Sequence, residues 1–205
     1  MGKLEANKQQ KLTSLLNTAF NLFTTQGVTK TSIAEISQKA GIAKGTFYLY
    51  FKDKYDIRNR LISHESSKLF KNAVADLEEL SKEKNEQLGF EEKIIFIINH
   101  IVDELNSNQT LLTFISKNLS WGIFKEALTT KVASDDINFK DVYYEMINAE
   151  DISLEEPEIM LFLIVELVSS TCYSAILYKE PADIDTIKPY LFKTVRAIIK
   201  EHTIR

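Results

Sequence analysis

A single cysteine, Cys172, in 205 residues rules out an intrachain disulfide framework and fits a reducing compartment. It lies in an apolar run, which reads as a buried, inert thiol. Three prolines and six glycines leave little turn chemistry for β-hairpins, and no strand-like alternation persists along the chain. The three histidines, His64, His100 and His202, are scattered and form no set with a nucleophile. No phosphate-binding glycine loop, dinucleotide fingerprint, zinc-protease helix or nucleophile elbow is present, so no enzyme and no cofactor is indicated. Met1 to Lys11 is polar and basic with no apolar run behind it, which reads as the absence of a secretory signal. What remains is an all-α protein.

Charge is unevenly placed. The chain carries net −4 overall, yet residues 1–60 hold ten Lys or Arg against four Asp or Glu, and the remainder is net −10. A basic first third on an acidic body is a localised footprint for a polyanion. Lys3, Lys8, Lys11, Lys30, Lys39, Lys44, Lys52 and Lys54 are its lysines available to phosphate.

The stretch Thr31–Lys54 reads as helix, glycine turn, short helix. Ser32 and Glu35 have capping-box spacing, Ile33, Ile36 and Ala40 share one face, and Gly41 supplies the left-handed turn. The short helix from Ala43 to Tyr50 has Phe47 and Phe51 as inward anchors and Lys44, Gly45, Thr46, Tyr48 and Tyr50 as outward chemistry. Asp53 and Asp56 cap the next helix. Helix-turn-helix corners are common, but a cation, a hydroxyl and two phenols on so short a helix suit phosphates and base edges in a groove.

The pattern from Ala19 through Leu22–Phe23, Gly27–Val28, Thr31–Ser32–Ile33, Ile36, Ala40–Gly41–Ile42, Gly45–Thr46–Phe47–Tyr48, Tyr50–Phe51 and Lys54 closely resembles the N-terminal domain of TetR-family transcriptional regulators. The resemblance covers about the first quarter of the chain. It implies a three-helix DNA-binding domain at 1–54 and a helical effector-binding and dimerisation domain at 55–205. It also implies DNA contacts from Thr31, Ser32, Lys44, Gly45, Thr46, Tyr48, Tyr50 and Lys54, with Thr31, Ser32 and Lys54 on phosphate. Ala43 departs from the serine or threonine common at its position, so one hydroxyl contact is missing. Ser37 replaces a small apolar residue, a change expected to be tolerated at a helix surface. The function implied is a cytoplasmic, ligand-responsive repressor that binds a palindromic operator as a homodimer. A DNA-binding protein with a structural role on the chromosome and no effector stays open beside it.

Further helices are expected at about Lys8–Gln26, Lys54–Leu80, 90–106, 109–130, 138–149, 156–179 and 185–202, with Ser81–Gln87 as a charged loop. Ile159–Leu177 is long enough to span a bilayer, but Glu166 near its middle and the hydroxyl-bearing residues after it favour a helix buried on most sides of a soluble protein. With the stripe Leu191, Val195, Ile198 and Ile199, it is expected to form the dimer interface of the last two helices. Ser170 and Ser174 would allow close approach there. Candidates for an unidentified small-molecule site are His100, Phe114, Trp121, Phe124, Tyr143, Glu166 and Tyr173, residue types that equally fill any helical core. His100 precedes Asp103 and Glu104, but no Cys or second His stands nearby and no metal site is expected.

Overall fold

The computed structural model describes residues 3–84, 88–118, 139–150 and 152–204. The described residues form helices α1 (Lys3–Gln26), α2 (Ile33–Lys39), α3 (Lys44–Phe47), α4 (Lys54–Lys84), α5 (Phe90–Ser107), α6 (Gln109–Asn118), α7 (Phe139–Asn148), α8 (Pro157–Leu177) and α9 (Ile184–His202). Among them the one β contact is an isolated antiparallel bridge from Leu154 to Thr203. The all-α expectation holds.

The chain divides into an N-terminal unit running to Ser66 and a larger unit beginning at Ser67. That division falls inside α4, beyond the boundary at Lys54 expected from sequence. The physical reason is that Ile57, Leu61 and Ile62 on the first turns of α4 are buried, along with Leu15, Leu16, Ala19, Leu22, Phe23, Ile36, Phe47 and Phe51. The α1 stripe was legible as spaced, although the helix begins at Lys3 rather than Lys8. Gly27 ends it with φ +84°, a conformation that costs other residues about 1 kcal/mol or more.

In the larger unit, Phe70, Ala73 and Leu77 of α4 pack with Ile97 of α5, and Phe139, Val142 and Met146 of α7 close over them. Phe70 and Phe139 stand with ring centroids 4.1 Å apart. The charged stretch expected as a loop is helical through Lys84. Glu78, Glu79, Lys82 and Glu83 are good helix formers, and no glycine or proline interrupts them before Gly89. The long helix expected at 109–130 is described only as α6, and its remainder lies outside the described residues. Pro157 opens α8 at its first turn, as expected.

Helix α8 is strongly apolar, and α9 and α5 pack against it. Met160, Leu161, Ile164, Cys172, Ala175 and Ile176 are buried there. The opposite row, Ile159, Leu163, Glu166 and Ser170 at helical spacing, faces outward. The single chain thus leaves this one row of the helix uncovered. By length and composition alone this helix is apolar enough to cross a membrane. The α9 stripe also departs from expectation: Leu191, Val195 and Ile199 are buried inside the chain. They cover the shared core with α8 and α5 and are not available as a free face.

Candidate nucleic-acid interface

Ser32 starts α2 as its N-cap, with its Oγ accepting from the Glu35 N–H at 3.1 Å. The reciprocal half of the capping box is absent. The Glu35 carboxylate accepts instead from Gln26 Nε2 at 2.8 Å and pairs with Lys39 at 3.3 Å. The Gln26 hydrogen bond, then Lys39, holds this carboxyl below the usual carboxylate range. Gly41 turns the chain with φ +69°, and the Ile42 N–H closes the turn onto Ser37 O at 2.9 Å. Ser14 Oγ donates to Ala40 O at 3.1 Å, tying α1 to the end of α2.

Helix α3 is shorter than the expected Ala43–Tyr50. One α turn ends at Phe47, and tight turns then carry the chain to Phe51, whose N–H reaches Phe47 O at 3.0 Å. Gly45 and Thr46 are weak helix formers, and the two anchors dictate the rest. Phe47 and Phe51 are fully buried with centroids 5.5 Å apart. Anchored this way, the segment holds Lys44, Gly45, Tyr48 and Leu49 exposed, with Thr46 and Tyr50 half-buried. Tyr48 stands edge-on to Phe47 at 5.6 Å, which fixes its ring while leaving it 52% exposed. Tyr50 Oη donates a long bond to Lys8 O at 3.4 Å. Ala43 makes no side-chain cap, as its methyl requires. Asp53 caps α4 through the N–H groups of Tyr55 and Asp56, and Asp56 returns a bond to the Lys52 N–H at 2.8 Å.

Three residues assigned to phosphate have other partners. Thr31 is 1% exposed, its hydroxyl donating to Gly27 O at 2.8 Å and accepting from Gln26 Nε2 at 3.2 Å. A hydroxyl so enclosed cannot reach phosphate, so its expected contact is corrected to a role in the α1–α2 connection. Lys54 Nζ donates to Thr29 O at 2.9 Å and Thr31 O at 3.1 Å, bracing the same connection. One of its three donors remains for an outside acceptor. Ser32 is exposed, and its O–H stays available while its oxygen caps the helix. Ser37 departs from expectation: it is buried, and its Oγ has no hydrogen-bond partner among the described residues.

Sequence reasoning missed Leu49. It is 81% exposed at the tip of the segment, between the two tyrosines. Its apolar nature had suggested nothing, because only the anchored fold fixes which side of this short turn looks out.

A family profile for bacterial regulatory proteins of the tetR family matches residues 15–61, the span that holds this site. Residues 15–61 thus carry the regulatory domain of the tetR family. It is 40% identical over 55 residues to the HTH-type transcriptional regulator AcrR of Shigella flexneri, a stretch covering 27% of this chain and 26% of that protein. To the fatty acid metabolism regulator protein of Bacillus subtilis it is 31% identical over 93 residues, 45% of this chain and 44% of that one. The aligned stretches thus span less than half the length of either relative. The solved structure of FadR from Bacillus subtilis in complex with stearoyl-CoA matches over 91% of this chain and 98% of that chain, with TM-score 0.57 and 17% identity. At that identity the likeness is one of fold.

In the larger unit, the described candidates for an effector site stand in different settings. His100 borders an open cleft of about 590 Å³ with Asn72, Asp76, Phe96 and Asn99. Its Nδ1 lies 3.1 Å from Asp76 and its Nε2 lies 3.5 Å from Glu104. Phe114 is buried. Tyr143 is buried, with its Oη donating to Pro157 O at 3.0 Å, and burial raises its phenol well above the ordinary value. Tyr173 pairs its hydroxyl with Tyr178 at 3.0 Å. Glu166 is exposed on the outward row of α8, not held within the core. Trp121 and Phe124 lie outside the described residues. Burial pushes the Cys172 thiol up to about 12, consistent with an inert side chain.

Proposed function

We propose that this chain is a ligand-responsive transcriptional repressor of the TetR family that binds a palindromic operator as a homodimer in the cytoplasm. The observation that carries the reading is the tip of the N-terminal unit. A one-turn helix anchored by Phe47 and Phe51 presents Lys44, Gly45, Tyr48 and Leu49 to the outside on a basic domain. Lys44 supplies charge for phosphate, and the exposed tip supplies contacts to base edges in the major groove. One such tip makes few contacts, whereas two related by a twofold axis add their energies on a palindrome.

The second tip would come from a partner chain seated on the outward face of α8. Ile159 and Leu163 are 50% and 42% exposed there, which is costly for a helix of this apolarity unless another surface covers it. An effector bound in the larger unit would act on the separation of the two tips through α4. A coupling of about 1–3 kcal/mol gives a 5- to 150-fold change in operator affinity. Long-chain acyl thioesters are the first effectors to test, because a relative of the same fold was crystallised with stearoyl-CoA.

The experiment is a titration of the full chain into operator DNA at two salt concentrations, with Lys44→Ala and Tyr48→Ala variants alongside. Both variants are expected to lose operator binding while keeping the thermal transition and dimer of the parent. Retained tight binding by both refutes the reading tip.

A further inference from the structure

Two features of the tip have no explanation inside the protein. Leu49 is 81% exposed, the highest value among the exposed large hydrophobic residues described. Gly45, four residues earlier, needs neither left-handed backbone nor space, since a Cβ built there meets nothing within 4 Å. Gly27 and Gly41, by contrast, take positive φ. The Leu49 N–H bonds to Thr46 O at 3.1 Å, so a tight turn follows α3 and carries the chain through Leu49. The pair is thus a gap followed by an apolar knob, flanked by the ring of Tyr48 and the charge of Lys44.

We propose that Leu49 is a specificity-determining residue that packs on the 5-methyl group of a thymine in the major groove, with Gly45 clearing the approach. This deepens the operator-binding reading above and rests on it. The chemistry selects the target. Phosphate offers an isobutyl side chain no favourable partner, and contact with the sugar carries no base preference. Along the base edges of the major groove, the thymine methyl is the apolar feature, and contacts from apolar side chains discriminate it. A missing side chain at Gly45 lets the backbone approach close enough for a short Leu49 side chain to reach the groove floor. Lys44, Thr46 and Tyr48 would then orient the tip through polar contacts while Leu49 adds preference for one base.

The test starts from duplexes enriched from a random pool by the full wild-type chain. In the enriched site each thymine is replaced, one at a time, by deoxyuridine, which removes only the methyl group. Wild type and Leu49→Ala are titrated against every replacement. Burying one methyl group corresponds to about fourfold in affinity per half-site. One symmetric thymine position is therefore expected to weaken the wild type by about fourfold when one half-site is changed and about 15-fold when both are. Leu49→Ala is expected to bind thymine and deoxyuridine duplexes equally at that position. Leu49 is exposed, so the alanine variant keeps its fold, which a thermal transition matching the parent checks. Deoxyuridine effects that are absent in the wild type, or undiminished in Leu49→Ala, overturn the role of Leu49 and leave operator binding standing. If no duplex is enriched, the operator-binding reading fails and takes this proposal with it.

Discussion

Replacing Gly45 by alanine separates what the fold needs from what the partner needs. In the isolated chain the added methyl enters open space, and the backbone there is not left-handed. Alanine is favoured over glycine in a helix interior by about 1 kcal/mol. Gly45 is the second residue of a four-residue helix, so roughly half of that is a fair expectation. A gain of about 0.5 kcal/mol raises the melting temperature of a chain this size by about 1–2 °C. Against DNA the sign reverses. A methyl group forced into a close-packed contact costs about 1–3 kcal/mol, or roughly 5- to 150-fold in affinity. The assay pairs urea unfolding with fluorescence anisotropy on operator duplex, both on the same preparation. A stability gain with an affinity loss fits the geometry. Lower stability would mean that the protein itself requires the glycine, and unchanged affinity would mean that the tip does not approach DNA closely; either result refutes the reasoning.

Ser37→Ala removes a buried hydroxyl that has no partner among the described residues, so unfolding free energy should rise by about 1 kcal/mol, read as a higher urea midpoint. Thr31→Val should lower stability by about 1–3 kcal/mol through loss of the bonds to Gly27 O and Gln26. Its salt dependence of operator binding should match the parent, and a slope reduced by about one phosphate would restore Thr31 as a contact. Leu163→Glu places a charge on the outward row of α8; sedimentation should show a shift from dimer toward folded monomer, and an unaltered dimer would move the interface elsewhere.

Much local chemistry was legible in the sequence. Gly27 and Gly41 turn the chain, Ser32 and Asp53 cap helices, Pro157 opens α8, and the spacing of Phe47 and Phe51 makes them anchors. The density of that pattern also made the family recognisable before any tertiary contact was known. Partnership at longer range was not legible. Lys54 carries a charge that suits phosphate, and only the return of α4 against the α1–α2 connection commits it to Thr29 O and Thr31 O. Ser37 looked like a surface residue because burial depends on what packs above it, which its own helix does not state.

The same limit governs the larger unit. An apolar run predicts that α8 must be covered, but not that α5 and α9 take one face and leave Ile159, Leu163, Glu166 and Ser170 outward. Nor could hydrophobic spacing reveal that Leu191, Val195 and Ile199 serve the chain's own core. Sequence by itself determined the all-helical class, the glycine turns, the basic first third and the family resemblance, because backbone preference and periodicity act within a turn or two. Tertiary structure alone decided which polar groups are already occupied and which side chains remain free, because hydrogen-bond partners and burial come from residues far apart in the chain.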